Sequence, residues 1–173
     1  MISRLILLFT FPIVILAQNT VDEQGKKQGK WTQEYPNGQL RYEGQFINDI
    51  PVQIFKHYNE KGHITANLEY FNEGKSVAAR LYHTNGKLQA VGLYSQEKKD
   101  SLWRYYNEEE MLILEETYSG GELNGAARTY YKNGEVAERF TYVDGVKDYS
   151  NYSPNPLIVL PLIAGLYGIY LIL

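Results

Sequence analysis

Apolar and polar residues alternate strictly over short stretches of this chain. Leu40, Tyr42, Gly44 and Phe46 fall on one side of the alternation, and Arg41, Glu43 and Gln45 on the other. Further on, Ile64, Ala66, Leu68 and Tyr70 oppose Thr65, Asn67 and Glu69. A period of two with one apolar side predicts half-buried β-strands. Shorter stretches of the same kind precede such runs at 30–35, 54–58, 102–106 and 126–131. Between the two halves stand Asn37-Gly38, Asn85-Gly86 and Asn133-Gly134, the dipeptide that supplies positive φ to type I′ hairpin turns. A second set of turns is expected at Asn48-Asp49, Glu73-Gly74, Gly120-Gly121 and Asp144-Gly145.

The alternation recurs with a fixed period. Phe46, Tyr70, Tyr94, Tyr118 and Tyr142 are each 24 residues apart, as are Leu40, Ile64, Leu88, Leu112 and Val136. The turn glycines Gly38, Gly62, Gly86 and Gly134 keep the same spacing, with Glu110 in the missing place. Self-similarity of this length predicts a stacked array, because one hairpin cannot cover its own apolar face. The expected fold is all-β: an elongated antiparallel meander of about five 24-residue hairpins, some ten strands over residues 18–150, with a C-terminal apolar helix. Strands about 4.8 Å apart would make the sheet roughly 45 Å long. One spacing resists this scheme. Trp103 and Tyr106, like Phe55 and Tyr58, differ by three, so a regular strand separates them and a bulge or early turn is needed to bring them together.

The segment Gly29-Lys30-Trp31, Tyr35-Pro36-Asn37-Gly38-Gln39-Leu40, Glu43-Gly44-Gln45-Phe46 resembles the MORN-repeat variant family, and residues 125–134 repeat it. The resemblance covers roughly residues 25–147, with Ala79 and Ala127 in the tryptophan place. It implies hairpin arrays used as scaffolds or interaction surfaces; some bacterial members are labelled antitoxin-like, and some relatives are credited with membrane-lipid contact.

The ends differ from the middle. Residues 1–17 read as a signal peptide, with Arg4 as the charged start, 5–16 as the apolar run and Ala17 as the small residue before cleavage. That run is too short to span a bilayer. Residues 151–156 form a Pro-containing spacer, and residues 157–173 carry no charge. Seventeen helical residues rise roughly 26 Å against a hydrocarbon core of about 30 Å. Three readings stand for this segment: a membrane anchor, which leads, the first span of a longer chain, or an apolar segment packed on the sheet. The expected location is therefore the periplasm or cell envelope after export.

Composition narrows the function. The chain has 16 Tyr and no Cys, so packing and sheet hydrogen bonds must supply its stability. Without Arg4, 16 basic residues face 20 acidic ones, a net charge of −4, which argues against a nucleic-acid partner. His57, His63 and His83 are scattered, and Glu108, Glu109 and Glu110 with Glu115 and Glu116 read as a solvated hairpin tip rather than a cation site. No nucleophile elbow or phosphate loop is present, so no enzyme, metal or cofactor is expected. Two ladders remain. Phe46, Tyr70, Tyr94, Tyr118 and Tyr142 with Trp31, Phe55 and Trp103 are expected as the array's core, with a stacking surface for glycans or peptides as the alternative. Lys56, Arg80, Arg104 and Arg128 recur every 24 residues on the opposite face. They either pair with Glu43, Glu69 and Glu115 across strands or form a spaced row for an anionic polymer or lipid headgroups. The expected role is a non-enzymatic interaction scaffold or binding module for a protein or envelope component, with an antitoxin-like or immunity protein and a glycan- or lipid-binding module as rivals.

Overall fold

Turn chemistry sets the strand order. In a computed structural model describing residues 18–150, Gly38 N–H donates to the Tyr35 carbonyl (2.9 Å) and Tyr35 N–H to the Gln39 carbonyl (2.8 Å). Both bonds recur at Gly62, Gly86, Glu110 and Gly134. Only the residue at this last turn position has positive φ: +81° at Gly38, and +66° at Glu110, while Asn37, Asn85 and Asn133 do not. These are three-residue loops rather than the expected type I′ turns. The two-residue turns with positive φ at both positions are the links: Asn48-Asp49, Gln96-Glu97, Gly120-Gly121 and Asp144-Gly145.

The result is one antiparallel sheet in sequence order: β1 (Thr20–Val21), β2 (Lys27–Glu34), β3 (Leu40–Ile47), β4 (Ile50–Tyr58), β5 (Ile64–Phe71), β6 (Ser76–Tyr82), β7 (Leu88–Ser95), β8 (Lys98–Tyr106), β9 (Leu112–Ser119), β10 (Glu122–Tyr130), β11 (Val136–Val143) and β12 (Val146–Asp148). It has twelve strands rather than ten, since short strands close both ends and the first strand of each hairpin starts earlier than the alternation predicts. The described residues contain no helix. The expected signal peptide, spacer and C-terminal helix lie outside the described residues.

Two kinds of bulge make the register. Each second strand carries one extra residue near its start: Tyr58 faces Ile64 while His57 faces Ala66. The Leu40, Ile64, Leu88, Leu112 and Val136 positions are thereby paired with Glu34, Tyr58, Tyr82, Tyr106 and Tyr130, and leave the face of Tyr42. Two extra residues sit early in β4, β8 and β10, with positive φ at Gln53, Ser101 and Gly125. β6 lacks that bulge and pairs with β5 in straight register. Val77 occupies the place, and a β-branched residue avoids positive φ. The surplus residues enter the link instead, which becomes a four-residue turn over 72–75. The 24-residue period survives by moving the irregularity.

The core lies on one face of this single sheet. Ring centroids run Trp31 to Phe46 at 5.9 Å, Phe46 to Phe55 at 5.1 Å and Phe55 to Tyr70 at 5.2 Å, then resume from Tyr94 to Trp103 at 4.9 Å. Such pairs each contribute about 0.5–1.5 kcal/mol beyond area burial. Large and small side chains alternate across it. Trp31 pairs with Gly44, Leu68 with Ala79, and Ala127 with Phe140, so at these seams a bulky residue has a small neighbour. Trp103, fully buried, rests on Ala79, Ala90 and Gly92 and is flanked by Tyr94, Tyr105 and Tyr118. Lys99 completes its cover. The ammonium sits 4.7 Å from the indole centroid and 5.0 Å from that of Tyr118, and donates to the Tyr105 hydroxyl at 2.7 Å. Lys27 lies likewise over Trp31 and Phe46, and Lys147 over Phe140. The aromatic ladder packs as core from Trp31 to Tyr118, and Tyr142 is half-buried opposite Gly125.

Candidate functional site

The other face carries the charge. Lys56, Arg80, Arg104 and Arg128 fall in one row because each sits at the same register position of its hairpin. Residues opposite one another in adjacent strands continue it: Glu43, Lys56, Asn67, Arg80, Val91, Arg104, Glu115, Arg128 and Arg139. Two carboxylates punctuate the row. Glu43 meets Lys56 at 3.6 Å and Lys30 at 3.8 Å, while Glu115 meets Arg104 at 2.9 Å and Arg128 at 3.2 Å.

A tyrosine backs each carboxylate. Tyr58 donates to Glu43 at 2.9 Å and Tyr130 to Glu115 at 2.6 Å. These hydrogen bonds, and then the neighbouring cations against the cost of burial, hold both carboxyls below the usual carboxylate range. Tyr58 and Tyr130 therefore share the face of the cations. Trp103 and Tyr106, or Phe55 and Tyr58, stay on opposite faces, and no bulge brings them together. Each of the last four hairpins thus presents a cation and, two residues on, a tyrosine: Lys56 and Tyr58, Arg80 and Tyr82, Arg104 and Tyr106, Arg128 and Tyr130.

The expected cross-strand pairing holds at Glu43 and Glu115 but not at Glu69, which forms no ion pair among the described residues. Arg80 alone of the four cations has no ion-pair partner there, because its strand neighbours are Asn67 and Val91 where the flanking hairpins have glutamate. Arg139 stands directly opposite Arg128. The sequence reading missed Lys30, Arg139 and the tyrosines, although the tyrosines recur every 24 residues and were legible on that ground.

A groove of about 590 Å³ opens on this face between the second and third hairpins, lined by His63, Ile64, Asn67, Tyr82, Thr84, Asn85 and Gly86. Among the described residues, bridges that tie two other pairs of hairpins at their turns are missing here, as they are between the fourth and fifth hairpins, where Asn107 also bonds within its own turn. From the first hairpin to the second, the Tyr35 hydroxyl donates to the Tyr58 carbonyl (2.9 Å) and Asn37 to the Glu60 carbonyl (2.9 Å). From the third to the fourth, His83 Nε2 bonds the Tyr106 carbonyl (2.8 Å) and Asn85 the Glu108 carbonyl (3.3 Å). Asn59 takes the place of Tyr35 in the second hairpin and instead accepts from Lys61 and His63 within its own turn.

The remaining candidates disperse. His57 lies on the ring face against Tyr42, with centroids 5.9 Å apart, and burial followed by the charge of Arg41 lowers its pKa. Glu108, Glu109 and Glu110 are exposed at a turn, whereas Glu115 is buried among cations and Glu116 accepts from Tyr118. No group of three or more acidic or histidine side chains that could hold a metal ion occurs among the described residues.

The MORN repeat variant family model matches residues 27–48 and 123–144. No curated protein matches the chain in sequence. Among solved structures, the chain is similar to S. aureus TarM, as a mutant in complex with Fondaparinux, alpha-GlcNAc-glycerol and UDP, at 12% identity and a TM-score of 0.41 over 54% of this chain and 19% of that one. A second TarM structure matches at 12% identity and 0.42 over 65% and 21%, and a GtfA/B complex at 10% identity and 0.36 over 61% and 22%. The chain thus spans about a fifth of the length of those proteins. The two stretches that match the MORN repeat variant model are the first and last hairpins of one array, and the hairpins between them share its 24-residue period and its loops.

Proposed function

We propose that the chain is a non-catalytic binding module, exported and held at the cell envelope by its apolar C-terminal residues, whose polar face takes an extended anionic partner. The observation that supports this most is the row itself. Lys30, Lys56, Arg80, Arg104, Arg128 and Arg139 share one face with only Glu43 and Glu115 paired among them, although the whole chain is net negative. A local cation excess on a net acidic protein steers anions to one face. Successive hairpins place equivalent cations roughly 10 Å apart, two strand spacings, so the partner is a chain with charges repeated along its length rather than a single ion.

The test is binding of the detergent-solubilised full chain to soluble polyanions against neutral polymers of equal length, at rising salt. Affinity is expected to fall steeply with salt, and the combined Lys56→Gln, Arg104→Gln and Arg128→Gln variant is expected to lose it. Equal binding of charged and neutral polymers overturns the reading. A chain ending at residue 152 is expected in the soluble fraction, while the full chain needs detergent.

A further inference from the structure

Between the second and third hairpins the array departs from its own repeat in two ways at once, and a groove opens there. The link over 72–75 is long and the β5 and β6 register is straight. Two groups at this seam have unmet bonding capacity. The Asn67 amide bonds the Tyr82 hydroxyl at 3.1 Å with one end, and its other end is buried without a partner. Whichever way the amide lies, one end is satisfied by Tyr82 and the other is not. A buried polar atom in that state carries a cost that a ligand would remove. Directly opposite Asn67 on the next strand stands Arg80, exposed, with no ion-pair partner among the described residues. The flanking seam positions are closed: Arg104 and Arg128 share Glu115, and Lys56 holds Glu43.

We propose that this groove is a binding site for an anionic sugar residue, a ring bearing hydroxyls and one carboxylate or phosphate. A hydroxyl both donates and accepts, so it satisfies the spare end of Asn67 in either orientation once the amide turns from its buried position into the groove it lines. The anionic group reaches the Arg80 guanidinium, whose planar fork suits carboxylate and phosphate alike. The apolar face of the ring lies over Ile64 and Tyr82, and Asn85 and His63 supply polar groups at the rim. The volume falls within the ~300–1,000 Å³ of small-molecule sites. The groove is open along the face, so the residue is held as one unit of a longer glycan. This assignment rests on the anionic-partner reading above and adds to it one specific subsite among otherwise paired cations.

Titration of the full chain with a galacturonate trisaccharide, galactose 1-phosphate, the neutral galactose trisaccharide and inorganic phosphate tests it. The first two sugars distinguish carboxylate from phosphate as the anionic source. At least one is expected to bind, with the neutral sugar and inorganic phosphate at least about tenfold weaker. Arg80→Gln and Asn67→Ala are each expected to lower that affinity about tenfold, and Lys132→Gln, at the exposed turn of the fifth hairpin, less than twofold. Melting curves of the variants check that each remains folded. Inorganic phosphate binding as tightly as the sugars, or Arg80→Gln and Lys132→Gln acting alike, overturns the subsite. Retention of salt-dependent polyanion binding in that case leaves the face reading intact, whereas loss of both removes the two together.

Discussion

Trp103 lies flat against the backbone of Gly92, so close that a methyl group on Gly92 would stand 2.2 Å from the indole. Gly44 stands in the same relation to Phe55, 2.3 Å from its ring. These two glycines have no positive φ, so space rather than backbone freedom requires them. Gly92→Ala is expected to destabilise the array by about 3 kcal/mol or more, because Trp103 is covered on all sides and has nowhere to move. Thermal melting should fall by about 10 °C. A fall of a degree or two would mean that the indole shifts freely, and that the ring face is not a close-packed core.

Glu110 holds the turn position that glycine fills in the other four hairpins, at φ +66°. A left-handed conformation costs a non-glycine residue about 1 kcal/mol. Glu110→Gly is expected to recover that amount, read as a higher denaturation midpoint with an unchanged slope. Ser101→Gly tests the same physics at a strand bulge, where φ is +59° and Gly29 and Gly125 are the equivalents. A loss of stability at both sites would show that their side chains contribute more than the backbone strain removes.

Much of this was legible in the alternation. The period of 24, the turn places and the two faces follow from residues such as Phe46, Tyr70 and Tyr94 whose spacing admits no other stack. What the alternation hid was the bulges. A bulge changes register without changing composition, so Ile64 read as a partner of Ala66 although it pairs with Tyr58. The Asn-Gly dipeptides suited either turn type, and only the hydrogen bonds distinguish a three-residue loop from a two-residue one. The row of cations was legible as a period, but the isolation of Arg80 was not. That depends on Asn67 and Val91 occupying the places of Glu43 and Glu115, which is a statement about register. Lys99 was illegible for another reason: a lysine over an indole looks in sequence like any solvated lysine.

Acid should weaken the fold in two stages. Burial, with Arg41 beside it, lowers the His57 pKa from its ordinary 6.5, so the folded state favours the neutral ring. Its contribution is complete above about pH 6.5 and is lost as pH falls through the lowered value. Glu115 is held below its ordinary 4.5 first by the Tyr130 hydroxyl and then by Arg104 and Arg128. Its contribution is complete above about pH 4.5 and is lost as pH falls toward the folded value. Glu115→Gln is expected to be less stable than the parent near neutrality and to approach it in strong acid. The upper stage should be unchanged in that variant and absent in His57→Phe. A parallel acid profile for Glu115→Gln and the parent would show that the carboxylate is not what ties the fourth and fifth hairpins.

The seam between β5 and β6 should be the interior joint that opens first. Its turns carry no bridge, as those of the fourth and fifth hairpins carry none, whereas Tyr35 and Asn37 bridge the first pair of hairpins and His83 and Asn85 the third and fourth. Among the described residues its link is also the only four-residue one between hairpins, with positive φ at Asn72, Glu73 and Gly74. A repeat array opens where the interface between neighbours is weakest, and a longer exposed turn is a better protease substrate. A glutamate-specific protease under native conditions is therefore expected to cut after Glu73 well before Glu97, which lies in a tight two-residue link. Lys61→Asn would place an amide where Asn37 and Asn85 have theirs, and should slow that cut by bridging to the third hairpin. Equal cleavage at Glu73 and Glu97, unaffected by Lys61→Asn, would show the array to be uniform along its length, with the groove a surface feature and not a weak joint.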